Sequence, residues 1–284
     1  MSKLSVKILL SLNRLFKKPI HPFNLQNDGV KSYGQWQYEK GEQTVKFYLE
    51  KYTAEDLFMG KRLLDIGCGA GGKSMYYASQ GAFVTGMDIV ESYAKESSEL
   101  ANILGITPDR FSFVLGDASS LPFENGTFDC VVMNDAVEHV ADPAAVISEA
   151  LRVLKPGGRL FMNFPPYFHP YGAHLSDAIG MPWVQLFFTE KTLITAYKQL
   201  VADLPDGRER IDFRISSDEN GKEYFSYINR ITLKRFKKTL KKLGIKPEYY
   251  KEIPLRGFLK PFAKIPFIKE LFVKMAVCVV KVDQ

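Results

Sequence analysis

Between residues 60 and 165 the chain repeats one pattern, a short apolar run followed by a helical periodicity, and that pattern leaves few folds open. The runs are Arg62–Ile66, Phe83–Met87, Phe111–Leu115, Cys130–Met133 and Arg159–Phe164, with helical stretches around 72–80, 92–104 and 143–154 between them. Short apolar runs bounded by turn residues read as strands, and strands that alternate with helices form a parallel sheet covered on both faces. Lys155-Pro156-Gly157-Gly158 supplies a stop and a turn just before the fifth run.

At 165 the alternation stops. A loop rich in Pro, Tyr and His comes first, then helix-like stretches at 176–188 and 190–203, then a polar loop from Pro205 to Gly221. A basic helix at 231–243, an extended piece near 248–253, a Pro-punctuated excursion and a strand-like Met275–Val282 follow. Upstream, Leu4, Ile8, Leu12, Leu15 and Phe16 share one helical face of residues 3–18, before Pro19 and Pro22 break it. Such a helix either packs on the domain, lies on a membrane surface or gates a substrate. Glu42–Tyr52 reads as a further helix, and no internal repeat or low-complexity tract is present. The simplest organisation is one α/β domain in four parts. These are a helical cap over 1–56, a core over 57–164, a lid insertion after the fifth strand over 165–230, and a completion of the core over 231–284.

Composition narrows the setting. With 46% hydrophobic and 25% charged residues in 284, the chain can build a core and is not disordered. No apolar run approaches the ~20 residues of a membrane span, and Lys274 interrupts Leu271–Val280. Val6–Leu12 is short and no small-residue cleavage site follows it, so a secretory leader is not expected. Cys68, Cys130 and Cys278 are an odd number within apolar segments, which points to reduced thiols and a cytoplasmic location. The net charge of +6 is uneven: +3 over residues 1–60, −6 over 61–180 and +9 over 181–284. Lys234 to Leu243 has the look of a nucleic-acid patch, yet Leu233, Phe236, Leu240 and Leu243 fall on one face, as on a helix that covers a sheet. Residues 1–18 and 255–273 mix lysines with apolar side chains and are candidates for peripheral membrane contact.

The strongest local signal is Leu63-Leu64-Asp65-Ile66-Gly67-Cys68-Gly69-Ala70-Gly71-Gly72, a strand running into a glycine turn and then a helix. Gly67, Gly69 and Gly72 satisfy GxGxxG, so a NAD-type oxidoreductase is one reading. Asp65 argues against it, because a carboxylate two residues before the first glycine opposes a pyrophosphate and suits a ligand carrying an ammonium or sulfonium.

Five motifs in order carry a resemblance to the class I S-adenosylmethionine-dependent methyltransferases, especially the subgroup that methylates small molecules. They are Asp65 to Gly71; Asp88; Gly116-Asp117-Ala118; Phe128 to Val132 with Asn134 to His139 at its tip; and Leu154 to Gly158. The resemblance implies a Rossmann-like, seven-stranded, mostly parallel sheet whose final antiparallel strand is Met275–Val282. It also implies S-adenosylmethionine as cofactor. Gly67, Cys68, Gly69 and Gly71 would bring backbone against its methionine part and Asp65 would orient the loop and the amino group. Asp88 would accept from the ribose hydroxyls and Ile89 would cover the adenine. Asp117 and the Ala118 N–H would meet the adenine edge, and Asn134 the methionine amine. Asp135 and His139 then lie near the chemistry.

Methyl transfer is a displacement at a sulfonium, so the protein mainly positions reactants and removes a proton where the acceptor needs it. His139, His169 and His174 are the candidate bases. Pro165 to His174, with three aromatics and two histidines, is the expected wall for the acceptor, and Trp183, Phe187 and Phe188 an added lid. Asn163-Phe164-Pro165-Pro166-Tyr167 resembles an Asn-Pro-Pro-Tyr motif of nucleic-acid methylation, but it follows the wrong strand and has an extra Phe. No metal-ligand spacing is present, and no metal is expected. The reading is therefore methyl transfer to a hydroxyl or amine of a small acceptor, amphipathic or anionic in character. A nucleic-acid methyltransferase and a non-catalytic binding protein on the same scaffold are the remaining alternatives.

Overall fold

The computed structural model describes residues 3–283; Met1, Ser2 and Gln284, at the outer ends of the expected 1–56 and 231–284 segments, lie outside the described residues. Nine strands follow in chain order: β1 (Arg62–Ile66), β2 (Phe83–Asp88), β3 (Phe111–Leu115), β4 (Phe128–Asn134), β5 (Leu154–Phe164), β6 (Ile215–Ser217), β7 (Glu223–Phe225), β8 (Tyr249–Pro254) and β9 (Val273–Lys281). The chain divides into two compact units. One comprises Lys31–Phe164, Lys234–Ile253 and the chain from Met275; the other comprises the chain up to Val30, Pro165–Leu233 and Pro254–Lys274. The division falls inside the N-terminal helical segment, between Val30 and Lys31.

The sheet unit holds seven strands in the order β3-β2-β1-β4-β5-β9-β8. β1, β2, β3, β4 and β5 pair in parallel, and β9 runs antiparallel to β5 from Arg159↔Lys281 to Phe164↔Ala276. Strands buried on both faces read as continuous apolar runs, as β4 and β9 do. The helices Gly72–Ser79, Ser92–Leu104 and Pro143–Arg152 fall where the periodicity places them. The basic helix Leu233–Lys242 buries Phe236 and Leu240, with Phe236 against Phe164 at 4.7 Å between ring centroids, and Lys237 pairs with Glu252 on its outer side.

The N-terminal helix of this unit spans Tyr33–Val45, nine residues upstream of the expected start at Glu42. Its beginning is set by a capping box in which Ser32 Oγ accepts from Gln35 N and Gln35 Oε1 from Ser32 N. A buried polar cluster lies beneath the sheet's carboxyl edge. Tyr48 Oη donates to Asn134 Oδ1 at 2.5 Å, Asn163 Nδ2 donates to Tyr48 Oη at 2.8 Å, and Asn134 Nδ2 donates to Tyr77 Oη at 2.8 Å. Asn163 Nδ2 is thereby held in this cluster, donating also to Asn134 Oδ1 at 2.5 Å.

The second unit surrounds a buried ion cluster. Asp177 Oδ2 accepts from Tyr197 Oη (2.7 Å) and Arg210 Nη1 (3.1 Å), while Arg214 Nη2 lies 3.4 Å from Oδ1. Arg210 also reaches Asp206 and Asn24, and the Arg214 guanidinium is boxed by the rings of Phe23, Tyr197, Phe213 and Tyr227 at 5.2–5.6 Å. This cluster explains why the expected polar loop from Pro205 to Gly221 is instead the helix Gly207–Arg214 leading into the β6–β7 hairpin. Arg210 and Arg214 face inward, so its period is invisible to a hydrophobic pattern. The expected 176–188 helix is also corrected: turns run to Pro182 and only Val184–Phe187 is helical, because Gly180 and Pro182 interrupt it.

The helix Lys3–Asn13 buries a different face from the one its spacing suggests. Leu9 and Asn13 are buried, with Val6 and Leu10 partly so, whereas Leu4, Ile8, Leu15 and Phe16 are exposed. Asn13 fixes this choice, donating to Ala178 O (3.1 Å) and accepting from Gly180 N (2.8 Å) and Met181 N (3.3 Å). Because Arg210 and Arg214 are buried with Asp177 as their common anion, Asp177→Ala should cost about 3–5 kcal/mol of unfolding free energy, measured by urea denaturation; a loss within experimental error would show that the cluster does not hold this unit together.

Candidate active site

Ligands of open α/β sheets sit beyond the carboxyl ends of the strands where the strand order reverses. Here that point is β1/β4, since the chain steps outward to β2 and β3 on one side and to β5 on the other. The loops after these two strands touch. Gly67 has φ 74°, and a Cβ on it would stand 2.8 Å from the Cβ of Ala136. Gly72, at the start of the following helix, packs so closely that a Cβ would meet Gly34 O at 2.0 Å. Gly69 and Gly71 share the left-handed backbone of the turn. Cys68 contributes backbone to this loop: its thiol is buried, donates to Gly69 O at 3.5 Å, and is pushed well above the usual thiol range by burial.

Asp65 is buried at the end of β1 and accepts from Ser74 Oγ at 2.6 Å, which ties the strand to the helix beyond the glycine loop. Burial pushes its carboxyl up to about 6, against the pull of Ser74 and Lys73. Asp88, at the end of β2, accepts from Gly69 N (2.8 Å) and Val90 N (3.1 Å). Burial raises its carboxyl too, in spite of those donors. Each oxygen of a carboxylate has a further lone pair, so Asp88 can still accept from a ligand's hydroxyls. Gly116 N donates to Asp88 O at 3.0 Å, so the loop after β3 adjoins it. In that loop Asp117 is exposed and accepts from Ser119 N at 2.8 Å, the turn-capping role, with Ala118 beside it half-buried. Ile89 is exposed.

Asn134 ends β4 with its side chain committed to the buried cluster, which leaves its backbone for a ligand. Asp135 follows with φ 54° and pairs with Lys73 at 2.7 Å. Three residues further, Glu138 is buried, and burial together with the neighbouring Asp135 raises its carboxyl well above the usual range. His139 is exposed on the same turn, its N–H donating to Ala136 O at 3.0 Å. The structure thus brings Asp65, the glycine loop, Asp88, Asp117, Asn134, Asp135 and His139 to one edge of the sheet.

Sequence reasoning passed over three residues here. Gln37 donates from Nε2 to Cys68 O and accepts at Oε1 from Gly72 N, both at 3.3 Å, so its amide spans the glycine loop. Tyr33 lies over Gly69, its ring 3.2 Å from where a Cβ would be, and its phenol is held up by burial and by Tyr93, Asp88 and Asp135. Glu138 is the third. The Ser32–Gln35 box and the close-packing glycines Gly34 and Gly41 were the available signals for the helix that carries Tyr33 and Gln37.

His169 and His174 belong to the other unit. His169 Nδ1 accepts from Tyr171 N at 3.2 Å, and burial and Lys274 lower its imidazole to about 4, so it is neutral at physiological pH. His174 has φ 53°, and Tyr227 Oη donates to the carbonyls of Ala173 and His174 at 2.6 Å each. Gln185 Nε2 donates to Tyr167 O and His169 O at 2.9 Å, stapling the aromatic loop. Trp183 Nε1 donates to Leu271 O at 3.1 Å, and Phe187 is exposed.

A seven-stranded sheet in this order, with β9 antiparallel, a glycine loop after β1 and an acid after β2, is the class I methyltransferase fold. Residues 64–162 match the family model described as a methyltransferase domain. Over 103 residues the chain is 39% identical to a chloroplastic tocopherol O-methyltransferase of Arabidopsis thaliana, covering 36% of this chain and 29% of that one. Over 121 residues it is 36% identical to a ubiquinone biosynthesis O-methyltransferase of Vibrio parahaemolyticus, covering 42% and 48%. The matches thus span less than half of these curated relatives. A SAM-dependent methyltransferase from Methanosarcina mazei shares the fold with a TM-score of 0.50 at 22% identity, over 84% of this chain and 97% of that one.

Asp65 has a consequence for stability. Its folded-state pKa lies above the unfolded value, so its contribution is fully present below about pH 4 and is lost as pH rises through about 6. Asp65→Asn should therefore gain on the parent by up to about 3 kcal/mol between pH 4 and pH 7 in denaturant titrations repeated across that range. A difference that stays flat would show that Asp65 does not titrate there.

Proposed function

We propose that the protein transfers a methyl group from S-adenosylmethionine to a small-molecule acceptor, with a hydroxyl favoured over an amine. The observation that carries this reading is the acidic edge of the sheet. Asp65, Asp88, Asp135 and Glu138 gather around a glycine loop, with Lys73 as their neighbouring cation. Such an edge repels a pyrophosphate and favours a cation bearing ribose hydroxyls, which disfavours the NAD reading; the antiparallel β9 and the methyltransferase relatives point the same way.

The residues present fit the cofactor. Asp88 would accept from the ribose hydroxyls, Ile89 and the loop of Asp117 and Ala118 would meet the adenine, and the backbone of Gly67 to Gly71 and of Asn134 would take the methionine part. Asp65 would hold the loop and favour the positive charge. When bound, S-adenosylmethionine supplies a methyl group activated by its sulfonium. The chain then has to exclude water, orient the acceptor and remove a proton. Tyr33 and Gln37 close over the glycine loop. Glu138 and His139, on the turn after β4, are the groups of the sheet unit suited to take the proton, Glu138 because burial raises its proton affinity. The O-methyltransferase names of two relatives support an oxygen acceptor, and three buried free thiols accord with a cytoplasmic setting.

Calorimetric titration tests this reading: S-adenosylmethionine and its demethylated product should bind and NAD should not. Asp88→Ala should weaken binding of the cofactor roughly tenfold to a hundredfold, the loss of charge-assisted hydrogen bonds. Affinity should also fall as pH drops from 7 to 5, because protonating Asp65 removes a charge that favours a cation. NAD binding, or an affinity for S-adenosylmethionine untouched by Asp88→Ala, would overturn it.

A further inference from the structure

We propose that the unit containing Lys3–Asn13 and Gly257–Lys264 carries a docking surface for an anionic lipid membrane. Two chain segments distant in sequence build it, residues 3–20 and 256–268. Between them they hold ten large apolar side chains left exposed: Leu4, Ile8, Leu15, Phe16 and Ile20 in the first, Phe258, Phe262, Ile265, Phe267 and Ile268 in the second. The exposure is extreme at the tips, with Phe267 99%, Phe258 82%, Ile20 80% and Leu15 77% accessible. Single exposed apolar residues are ordinary on a protein surface, but an accumulation on two neighbouring segments marks an interaction site.

The segments are neighbours because both are anchored to the turns at 178–183. Asn13 bonds to Ala178, Gly180 and Met181, and Lys17 O lies 3.0 Å from where a Cβ on Gly180 would be. From the other side Trp183 donates to Leu271 O, and its ring meets Phe272, which packs on Phe262 at 5.1 Å. With Leu9 and Asn13 in the helix and Trp183 against 271–272 as anchors, the ten apolar side chains named above remain exposed.

Charge identifies the occupant. Lys3, Lys7, Arg14, Lys17 and Lys18 in the first segment and Arg256, Lys260 and Lys264 in the second are exposed, and neither segment contains an acidic residue. Apolar tips interleaved with basic side chains match an anionic bilayer, where the tips enter the acyl boundary and the cations meet headgroup phosphates. A nucleic acid would use the cations but gain little from Leu15, Ile20, Ile265 and Ile268, which offer no ring for stacking. No helix among the described residues is long and apolar enough to cross a membrane, so the contact is peripheral. It stands independently of the methyl-transfer reading.

The test uses the full chain in flotation with phosphatidylcholine vesicles, with and without roughly a third of phosphatidylglycerol. The parent should float with the anionic vesicles and stay behind with the neutral ones. The double variant Phe258→Ser/Phe267→Ser, at two fully solvated positions, should lose binding by roughly tenfold or more with an unchanged melting temperature. Lys260→Glu/Lys264→Glu should lose the preference for the anionic vesicles. Failure of the parent to float, or flotation of the Phe double variant equal to the parent's, would overturn the proposal. A concentration-dependent dimer in sedimentation, abolished by the Phe double variant and unaccompanied by flotation, would overturn it in favour of a second copy of the chain.

Discussion

The carboxyl ends of β1, β2 and β4 gather acids, with Asp65, Asp88 and Glu138 largely out of water's reach, and the local architecture is arranged around that cost. Asp65 is tied to Ser74, Asp88 to the N–H groups of Gly69 and Val90, and Asp135 to Lys73. Each tie also fixes backbone: the first holds the helix after the glycine turn, the second holds the turn itself, the third joins the loops after β1 and β4. Burial nonetheless raises the carboxyls of Asp65, Asp88 and Glu138. An edge of this kind is a standing demand for a cation, and a positively charged ligand relieves a strain that the folded chain otherwise carries.

The sheet was legible because its physics is periodic. Apolar runs give the five parallel strands, glycine with a following helical pattern gives the turn after β1, and the acids at the strand ends give the loop residues that converge at β1/β4. The antiparallel direction of β9 is not written in any local period and came from the resemblance; its place between β5 and β8 came from the structure alone. Tyr33, Gln37 and Glu138 escaped for a different reason. They reach the edge through tertiary packing, two from a helix whose glycines permit a close approach to the helix Gly72–Ser79, one from a turn where an acid between Asp135 and His139 draws no attention of its own.

The second unit shows where pattern reading fails. Its organising group is a carboxylate serving two guanidiniums, so residues that signal solvent in a sequence are its interior. The helix Lys3–Asn13 inverts the rule from the other side. Apolar residues surround it, and an asparagine with three partners, not the hydrophobic stripe, selects the buried face. Hydrophobic spacing reports which faces could be covered; polar bonds of fixed geometry decide which one is.

The register of β9 has a kinetic meaning. Its partners on β5 lie more than a hundred positions earlier in the chain, and the whole of Pro165–Leu233 intervenes. Until β9 arrives, β5 is an edge strand with unpaired N–H and C=O groups, open to pairing with another chain. Closing so long a loop is entropically slow. In synthesis β5 is made well before its antiparallel partner, so its flank can be covered only once the last residues of the sheet have emerged.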